Sequence, residues 1–578
     1  MWCDRVAWQR VGGLLGFVLT SVVAITPAAV EAENEVSSAE VPVALARSTD
    51  KGAVACVSPA AAEVGRAILQ RGGNAVDAAV AVAFALAVSW PEAGNIGGGG
   101  FMLVAPPGQA VTCFEFRETA PRAASVDLLA DGSVTAWDVR AAGVPGTVRG
   151  LALAHARFGT LPWRELIAPA IDLAERGVLV NAALARSLNR VLEDKRTTQP
   201  EFRRLFQAPN GRRWQEGDRL VQRDLARTLL RIAQDGPDAF YTGSIAQLIV
   251  QEMRRSGGLI TADDLKAYRP QERVPIAIRY RDCEVYAPPP PSSGGITLAL
   301  MLQMLEALDW KSQGRWSAET YHYLIEVMRR AYADRARHLG DPDFTRIPPH
   351  LTSKEYARRL AAGIRRDKAT PSAEVAPDLE IRPEGESTTH FSIIDRNGLA
   401  VSTTYTLENS YGCRMAVGGA GFILNNEMTD FNPRPGITTV GGLIGTPPNQ
   451  IAPGKRMLSS MTPTIVRQRG QTVLITGSPG GRTIINTVLC VLLNHLDFGM
   501  SAEQSVAAPR LHHQWLPDMA RLEPLPPGHD ELPAQLRRKG HHLVFGRQGD
   551  AHSIFVDPQT GRRTVVADRR IDGAIGIE

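Results

Sequence analysis

Glu386-Ser387-Thr388-Thr389-His390-Phe391-Ser392-Ile393-Ile394-Asp395 reads as a place where the chain cuts itself and as the start of its β-rich part. Before it, residues 366–387 are charged, proline-containing and without periodicity, which predicts a mobile surface linker. After it, residues 389–395, 400–407, 472–477 and 552–556 alternate or cluster apolar side chains around turn signals and predict strands. A cut before Thr388 leaves a threonine with a free amine. Its hydroxyl is a weak nucleophile at neutral pH, and an α-amine with a pKa of about 7.7–8.0 can serve as its base. One residue then supplies both groups. The competing reading of any Thr-Thr pair is an ordinary strand threonine.

The next turn bears on that choice. Asp395-Arg396-Asn397-Gly398 is a hairpin signal. A three-residue loop with Gly398 left-handed pairs Asp395 with Leu399 and brings Thr388 opposite Thr406. A two-residue Asn-Gly loop sets Thr389 opposite Thr406 instead, with Thr388 on the other face. Further on, Gly480-Gly481 precedes Arg482 and the helix start Thr483-Ile484-Ile485-Asn486, a tight strand-to-helix turn.

Thr388 to Ser392 resembles the threonine-threonine-histidine-aromatic-serine signature of the γ-glutamyltranspeptidase family of N-terminal nucleophile hydrolases. Other signatures of that family follow in its order: Phe116-Arg117-Glu118-Thr119-Ala120-Pro121, Pro289-Pro290-Pro291-Ser292-Ser293-Gly294-Gly295, Leu424-Asn425-Asn426-Glu427-Met428-Thr429-Asp430-Phe431, Leu458-Ser459-Ser460-Met461 and Gly477-Ser478-Pro479-Gly480-Gly481. The resemblance implies an α+β fold, a four-layer αββα sandwich built from two self-cleaved fragments. With a signal peptide read at 1–32 from its charge and apolar run, it implies a mainly helical large fragment at 33–387 and a β-rich small fragment at 388–578.

By the same resemblance Thr388 is the nucleophile, and Thr406 hydrogen-bonds it, which favours the three-residue loop. Gly480 and Gly481 match the oxyanion hole, where backbone N–H groups meet the developing charge. A γ-glutamyl group presents an α-carboxylate and an α-ammonium far from the scissile amide, so opposite charges must flank one pocket. Arg117, Ser459 and Ser460 are expected at the carboxylate, and Glu427 and Asp430 at the ammonium. Glu408 departs from the pattern, since well-known family members carry an asparagine there. The implied reaction passes a γ-glutamyl group from a donor such as glutathione to water or to an amino acid or dipeptide amine, without cofactor. A same-fold acylase acting on glutaryl side chains or poly-γ-glutamate is the alternative, and an exported, catalytically dead binding protein is the reading from another class.

Composition sets the outer bounds. At 578 residues, 44% hydrophobic and 21% charged, the chain has the make-up of a globular protein rather than a disordered or fibrous one. Its net charge of +4 and scattered arginine pairs give no basis for nucleic-acid binding. Arg5 and Arg10 precede an apolar run from Val11 to Ile25, and Val30-Glu31-Ala32 suits a signal peptidase, so export to the periplasm or outside is expected, without lasting membrane association. Residues 33–48 read as a flexible entry. Cys56, Cys113, Cys283, Cys413 and Cys490 remain after cleavage, an odd number without a disulfide framework. Asn95-Ile96-Gly97-Gly98-Gly99-Gly100 lacks the Gly-Lys-Ser/Thr of a phosphate loop, and His512-His513 and His541-His542 lack metal-ligand spacing. His390 reads as a strand residue that positions the site. Residues 60–71 and 76–88 predict helices, and 142–363 reads as mainly helical.

Overall fold

The computed structural model describes residues 44–376, 388–439 and 442–578, together with 382–383; the pairs 382–383 and 442–443 are described through their backbone alone. The expected signal peptide lies outside them. Among the described residues no helix is long and apolar enough to cross a membrane.

Fourteen strands build two seven-stranded sheets among the described residues. In chain order they are β1 (Leu45–Thr49), β2 (Ala53–Cys56), β3 (Gly99–Ala105), β4 (Thr112–Glu115), β5 (Gln271–Arg273), β6 (Ile276–Tyr280), β7 (Cys283–Ala287), β8 (Thr389–Ile394), β9 (Ala400–Thr406), β10 (Thr464–Gln468), β11 (Gln471–Thr476), β12 (Ser553–Val556), β13 (Arg563–Ala567) and β14 (Ala574–Ile577). One sheet has the order β1-β13-β12-β11-β10-β7-β6 and the other β14-β2-β8-β9-β3-β4-β5. Strands from before and after Thr388 are neighbours in both.

Strand side chains alternate between two faces, and here each face has its own core. Val54, Cys56, Phe391, Ile393, Val401 and Tyr405 pack against helices α1 (Pro59–Gln70) and α2 (Ala75–Ser89). Ala53, Ala55, Phe101, Leu103, Ile394 and Ala400 meet Ile465, Ile475, Ile554 and Val565 of the other sheet. The far side of that sheet, with Val285, Val466, Leu474 and Phe555, packs under α3 (Gly294–Glu306), α4 (Ala318–His338) and α5 (Thr483–Leu496). The layers are therefore helix, sheet, sheet, helix, as the αββα expectation holds. α1 starts where Ser58 accepts the Ala61 N–H ahead of Pro59, and α2 starts with an Asn74/Asp77 capping box.

Three expectations change. The entry is ordered from Ala44, and Leu45–Thr49 forms an edge strand on β13. The mainly helical region contains the β6–β7 hairpin, which supplies a sheet edge. The expected linker is anchored through residue 376. Ala369 N–H donates to Lys539 O at 2.7 Å. Ser372 is buried, its hydroxyl donating to Trp515 O at 2.6 Å while its carbonyl accepts the Trp515 indole N–H at 2.9 Å. These partners lie more than a hundred residues downstream, so local composition does not reveal them. Residues 377–381 and 384–387 lie outside the described ones.

Candidate active site

β8 and β9 run antiparallel with Thr389 opposite Tyr405 and Ile394 opposite Ala400, a register that sets Thr388 against Thr406. The loop holds three residues: Asp395 N–H donates to Leu399 O at 3.1 Å, and Gly398 sits at φ 86°. Thr406 Oγ1 donates to Thr388 Oγ1 at 3.4 Å, a long contact of the kind that substrate binding tightens. The same oxygen accepts the Glu408 N–H at 2.8 Å, which turns the Thr406 proton toward Thr388. Glu408 makes this possible by adopting φ 74°, a left-handed conformation unusual for a residue with a side chain.

Behind the nucleophile the face between the sheets is polar. His390 bonds Thr404 Oγ1 at 2.8 Å and Ser392 Oγ at 3.0 Å, and Ser392 donates to His552 O at 2.8 Å. Burial holds the His390 imidazole well below its ordinary pKa, so it is a neutral positioning group. Its ring occupies the space where a side chain at Gly477 would stand: a Cβ there would lie 2.3 Å from His390 Cε1. Glycine at 477 is what lets the Gly480-Gly481 turn approach the strand that carries His390.

That turn runs through Gly480 and Gly481, both at positive φ (121° and 51°), into α5. Thr483 pins it, donating to Gly480 O through its N–H at 3.0 Å and its hydroxyl at 2.7 Å. Gly481 lines the same cavity of about 430 Å³ as Thr388, Thr406, Glu408, Arg117, Asp430, Ser459 and Ser460. Residues far apart in the chain thus share one chamber. Glu427 lies just behind it, fully buried, and Gly480 adjoins Gly481. Asn432, Pro433, Arg434, Ile444 and Asn449 belong to the cavity wall, so part of the 432–455 stretch encloses the site.

The charges are arranged differently from the expectation. Arg117, 1% exposed, does not stand apart from the acidic residues: its guanidinium pairs with Glu427 and Asp430 and reaches Glu118 at 3.4 Å. Carboxylate oxygens of Glu408, Glu427 and Asp430 all lie within 4.8 Å of one another. Burial opposes the Arg117 charge, but Glu427, Asp430, Glu118 and Glu408 together hold it protonated. Burial pushes Glu427 well above the ordinary carboxylate range, with further upward pressure from Glu118, Asp430 and Glu408 against the pull of Arg117. Burial likewise lifts Glu118 to about 7, again against Arg117. Neither Glu427 oxygen makes a hydrogen bond of good geometry. At this end of the site the Arg117 guanidinium is ringed by four acids, a local charge balance that suits a further cation.

Sequence reasoning missed two contributors to the site and one buried cluster away from it. Glu118 follows Arg117 within a quoted motif, where nothing separates it from an ordinary neighbour. Arg335 of α4 reaches the cavity wall beside Ser460, and nothing in its surroundings in the chain marks it. His322, Glu326 and His541 come together, although the histidines show no cluster along the chain. In that group Glu326 is taken by Arg329 and Arg330, and His322 bonds His541 at 2.8 Å and Arg365 O at 2.7 Å. Burial lowers both histidine pKa values and keeps the pair neutral, and its hydrogen bonds tether the segment after α4. Cys56, Cys113, Cys283, Cys413 and Cys490 are all buried and unbridged.

Comparison with known proteins gives a consistent result. Residues 61–577 match the family model described as Gamma-glutamyltranspeptidase. A relative named Glutathione hydrolase proenzyme from Escherichia coli (strain K12) is 44% identical over 517 residues, covering 88% of each chain. Among solved structures, a cephalosporin acylase from Bacillus halodurans superposes with a TM-score of 0.81 at 26% identity, covering 92% of this chain and 96% of that one. A Gamma-glutamyltranspeptidase from Pseudomonas nitroreducens complexed with L-DON is 41% identical with a TM-score of 0.52, covering 55% of this chain and 95% of its own.

Proposed function

The chain belongs to the γ-glutamyltranspeptidase family, and from that premise we propose that Thr388 is the nucleophile with which it takes γ-glutamyl groups from their amides. It is an enzyme, a γ-glutamyltransferase and glutathione hydrolase. Its reaction begins at the Thr388 hydroxyl, which forms a bond to the γ-glutamyl carbonyl carbon. Negative charge gathers on the carbonyl oxygen, and the N–H groups of Gly480 and Gly481 are the donors that suit it. The amide C–N bond then breaks, and the proton lost by the hydroxyl passes through the α-amine to the leaving amine. Water or an acceptor amine attacks the resulting ester and frees Thr388.

The observation that carries this reading is the chamber itself: a hydroxyl poised by Thr406, next to a buried acid group that includes Glu427, a carboxyl without a well-formed hydrogen bond. An ammonium supplies the donors such a group needs. A glutaryl side chain has no ammonium, which disfavours the acylase alternative. The word proenzyme in the name of the Escherichia coli relative supports self-cleavage between Ser387 and Thr388. Residues 1–32 support an exported destination. The test is to incubate the purified protein with glutathione, with and without glycylglycine. Glutamate and cysteinylglycine are expected in buffer, and γ-glutamyl-glycylglycine with the acceptor. Glutathione left intact in both arms would end this reading.

Glu408 gives a sharper expectation. With three carboxylates around one ammonium, a neutral acceptor suffices at one of them, so Glu408→Asn should keep γ-glutamyl turnover. Glu408→Lys places a cation where the ammonium must sit, and like charges brought together cost several kcal/mol. KM for γ-glutamyl-p-nitroanilide should rise on the order of 100-fold or more. A lysine variant with unchanged KM would show that position 408 takes no part in recognition.

A further inference from the structure

Pro289-Pro290-Pro291-Ser292-Ser293-Gly294-Gly295 carries no role in the chemistry above, yet it lies directly under Ser459 and Ser460. Ser459 N–H donates to Pro291 O at 2.8 Å, Ser293 N–H and hydroxyl both donate to Ser459 O at 2.7 Å, and Ser292 donates to Met461 O at 2.7 Å. Arg335 completes this strap from α4, donating through Nε to Ser293 Oγ at 2.8 Å and through Nη2 to Ser460 Oγ at 2.9 Å. It is 8% exposed and lines the catalytic cavity.

The direction of these bonds has chemical content. A guanidinium has five donors and no acceptor, so Ser460 Oγ must accept from Arg335, and its own proton is turned away from Arg335. Ser459 is set in the same way, because its Oγ accepts the Met461 N–H at 3.1 Å. Both serines border the cavity. Two hydroxyls that each accept from the protein keep their protons to offer to whatever enters, which is the polarity an anion requires. Arg117, by contrast, is already engaged by Glu427, Asp430 and Glu118.

We infer that Arg335 is a specificity-determining positioning residue, which makes the enzyme demand an α-carboxylate by fixing the proton direction of Ser460 and bringing a second guanidinium to that end of the site. The inference rests on the γ-glutamyl reading. It separates Arg335 from a merely structural arginine, since its effect belongs to one charged group of the substrate. Glutamine at 335 can accept a proton from Ser460 as readily as donate one, and so abolishes the enforced polarity. Lysine remains a pure donor and preserves it.

The test compares two anilides that share the ammonium and the scissile amide: γ-glutamyl-p-nitroanilide, and 4-aminobutyryl-p-nitroanilide, which lacks the carboxylate. On protein whose two-band maturation has been checked, Arg335→Gln should lower kcat/KM for the γ-glutamyl anilide about tenfold or more, mainly through KM, with the 4-aminobutyryl value within about twofold of wild type. Arg335→Lys should restore most of the preference. Equal losses on both anilides would make Arg335 a scaffold residue only, and an unchanged ratio would also overturn the inference while leaving the γ-glutamyl reading intact. Wild-type protein that cleaves neither anilide overturns both. Should Arg335→Gln fail to mature, Ser460→Ala reads the same ratio: loss of the γ-glutamyl preference supports the inference, and a retained preference overturns it.

Discussion

Thr388→Ala should run as one uncut band on a denaturing gel and turn over no γ-glutamyl substrate, while the wild type separates into two bands. The expected loss is the largest available to a single substitution. Removing the nucleophile of a covalent hydrolase costs on the order of 10⁶ in kcat. Here the same residue serves twice. In the continuous chain its nitrogen is an amide with no basicity, so the hydroxyl can attack only the preceding carbonyl. Once that bond is cut, the nitrogen becomes an amine able to take the hydroxyl proton. N-terminal sequencing of the shorter band should begin Thr-Thr-His-Phe. Active wild-type protein that stays in one piece would refute the scheme. Thr406 lies 3.4 Å from Thr388 but has no amine to gain, so its removal should slow the reaction without abolishing it.

Arg117→Ala should be destabilising as well as inactive, because it strips the cation from a buried ring of acids. Breaking a buried ion pair by deleting one partner typically costs about 3–5 kcal/mol, since the remaining charge has no compensation. The penalty should depend on pH in an unusual direction. Glu118 is held at about 7 in the folded protein, above the ordinary value of a glutamate, so the folded state binds its proton more tightly than the unfolded state. Such a group contributes stability below its unfolded pKa, and the contribution is lost as pH rises through the folded pKa. Arg117 pulls that value down, so its removal raises it further and extends the loss above pH 7. Chemical denaturation should therefore find Arg117→Ala closer to wild type at pH 6 than at pH 8. A variant equally stable at both would mean that Glu118 and Glu427 find other partners.

The pairing of Thr388 with Thr406 and the turn at Gly480-Gly481 were legible because each sits in a local pattern with few geometric solutions. Asp395, Asn397 and Gly398 allow only two tight loops, and the two differ in which threonine faces Thr406. The charged half of the site was legible as residues but not as an arrangement. Arg117 was expected opposite the acids, and it lies among them, because a buried guanidinium pairs with the carboxylates nearest to it. α4 falls within the stretch expected to be mainly helical, but its burial was hidden for a related reason. Seventeen of its positions are buried, including Glu326, Arg329, Arg330 and Asp334, so charged residues that pair inside the protein erase the polar face by which a helix is read. The edge strand Leu45–Thr49 and the anchored Ser372 owe their order to partners hundreds or scores of residues away, which no window along the chain contains.

The interleaving of strands has a consequence for the order of events in the protein's life. Within the two seven-stranded sheets, five strand pairings join chain from before Thr388 to chain from after it: β1 with β13, β7 with β10, β14 with β2, β2 with β8, and β9 with β3. As one chain, the protein folds in a first-order process. After the cut, any complete unfolding releases two molecules, and their return becomes second-order, dependent on how dilute they are. Neither piece holds either seven-stranded sheet whole. The proposed cut would thus change the molecularity of folding from one to two at the moment activity begins, and the working enzyme would persist by its barrier to unfolding rather than by its capacity to refold.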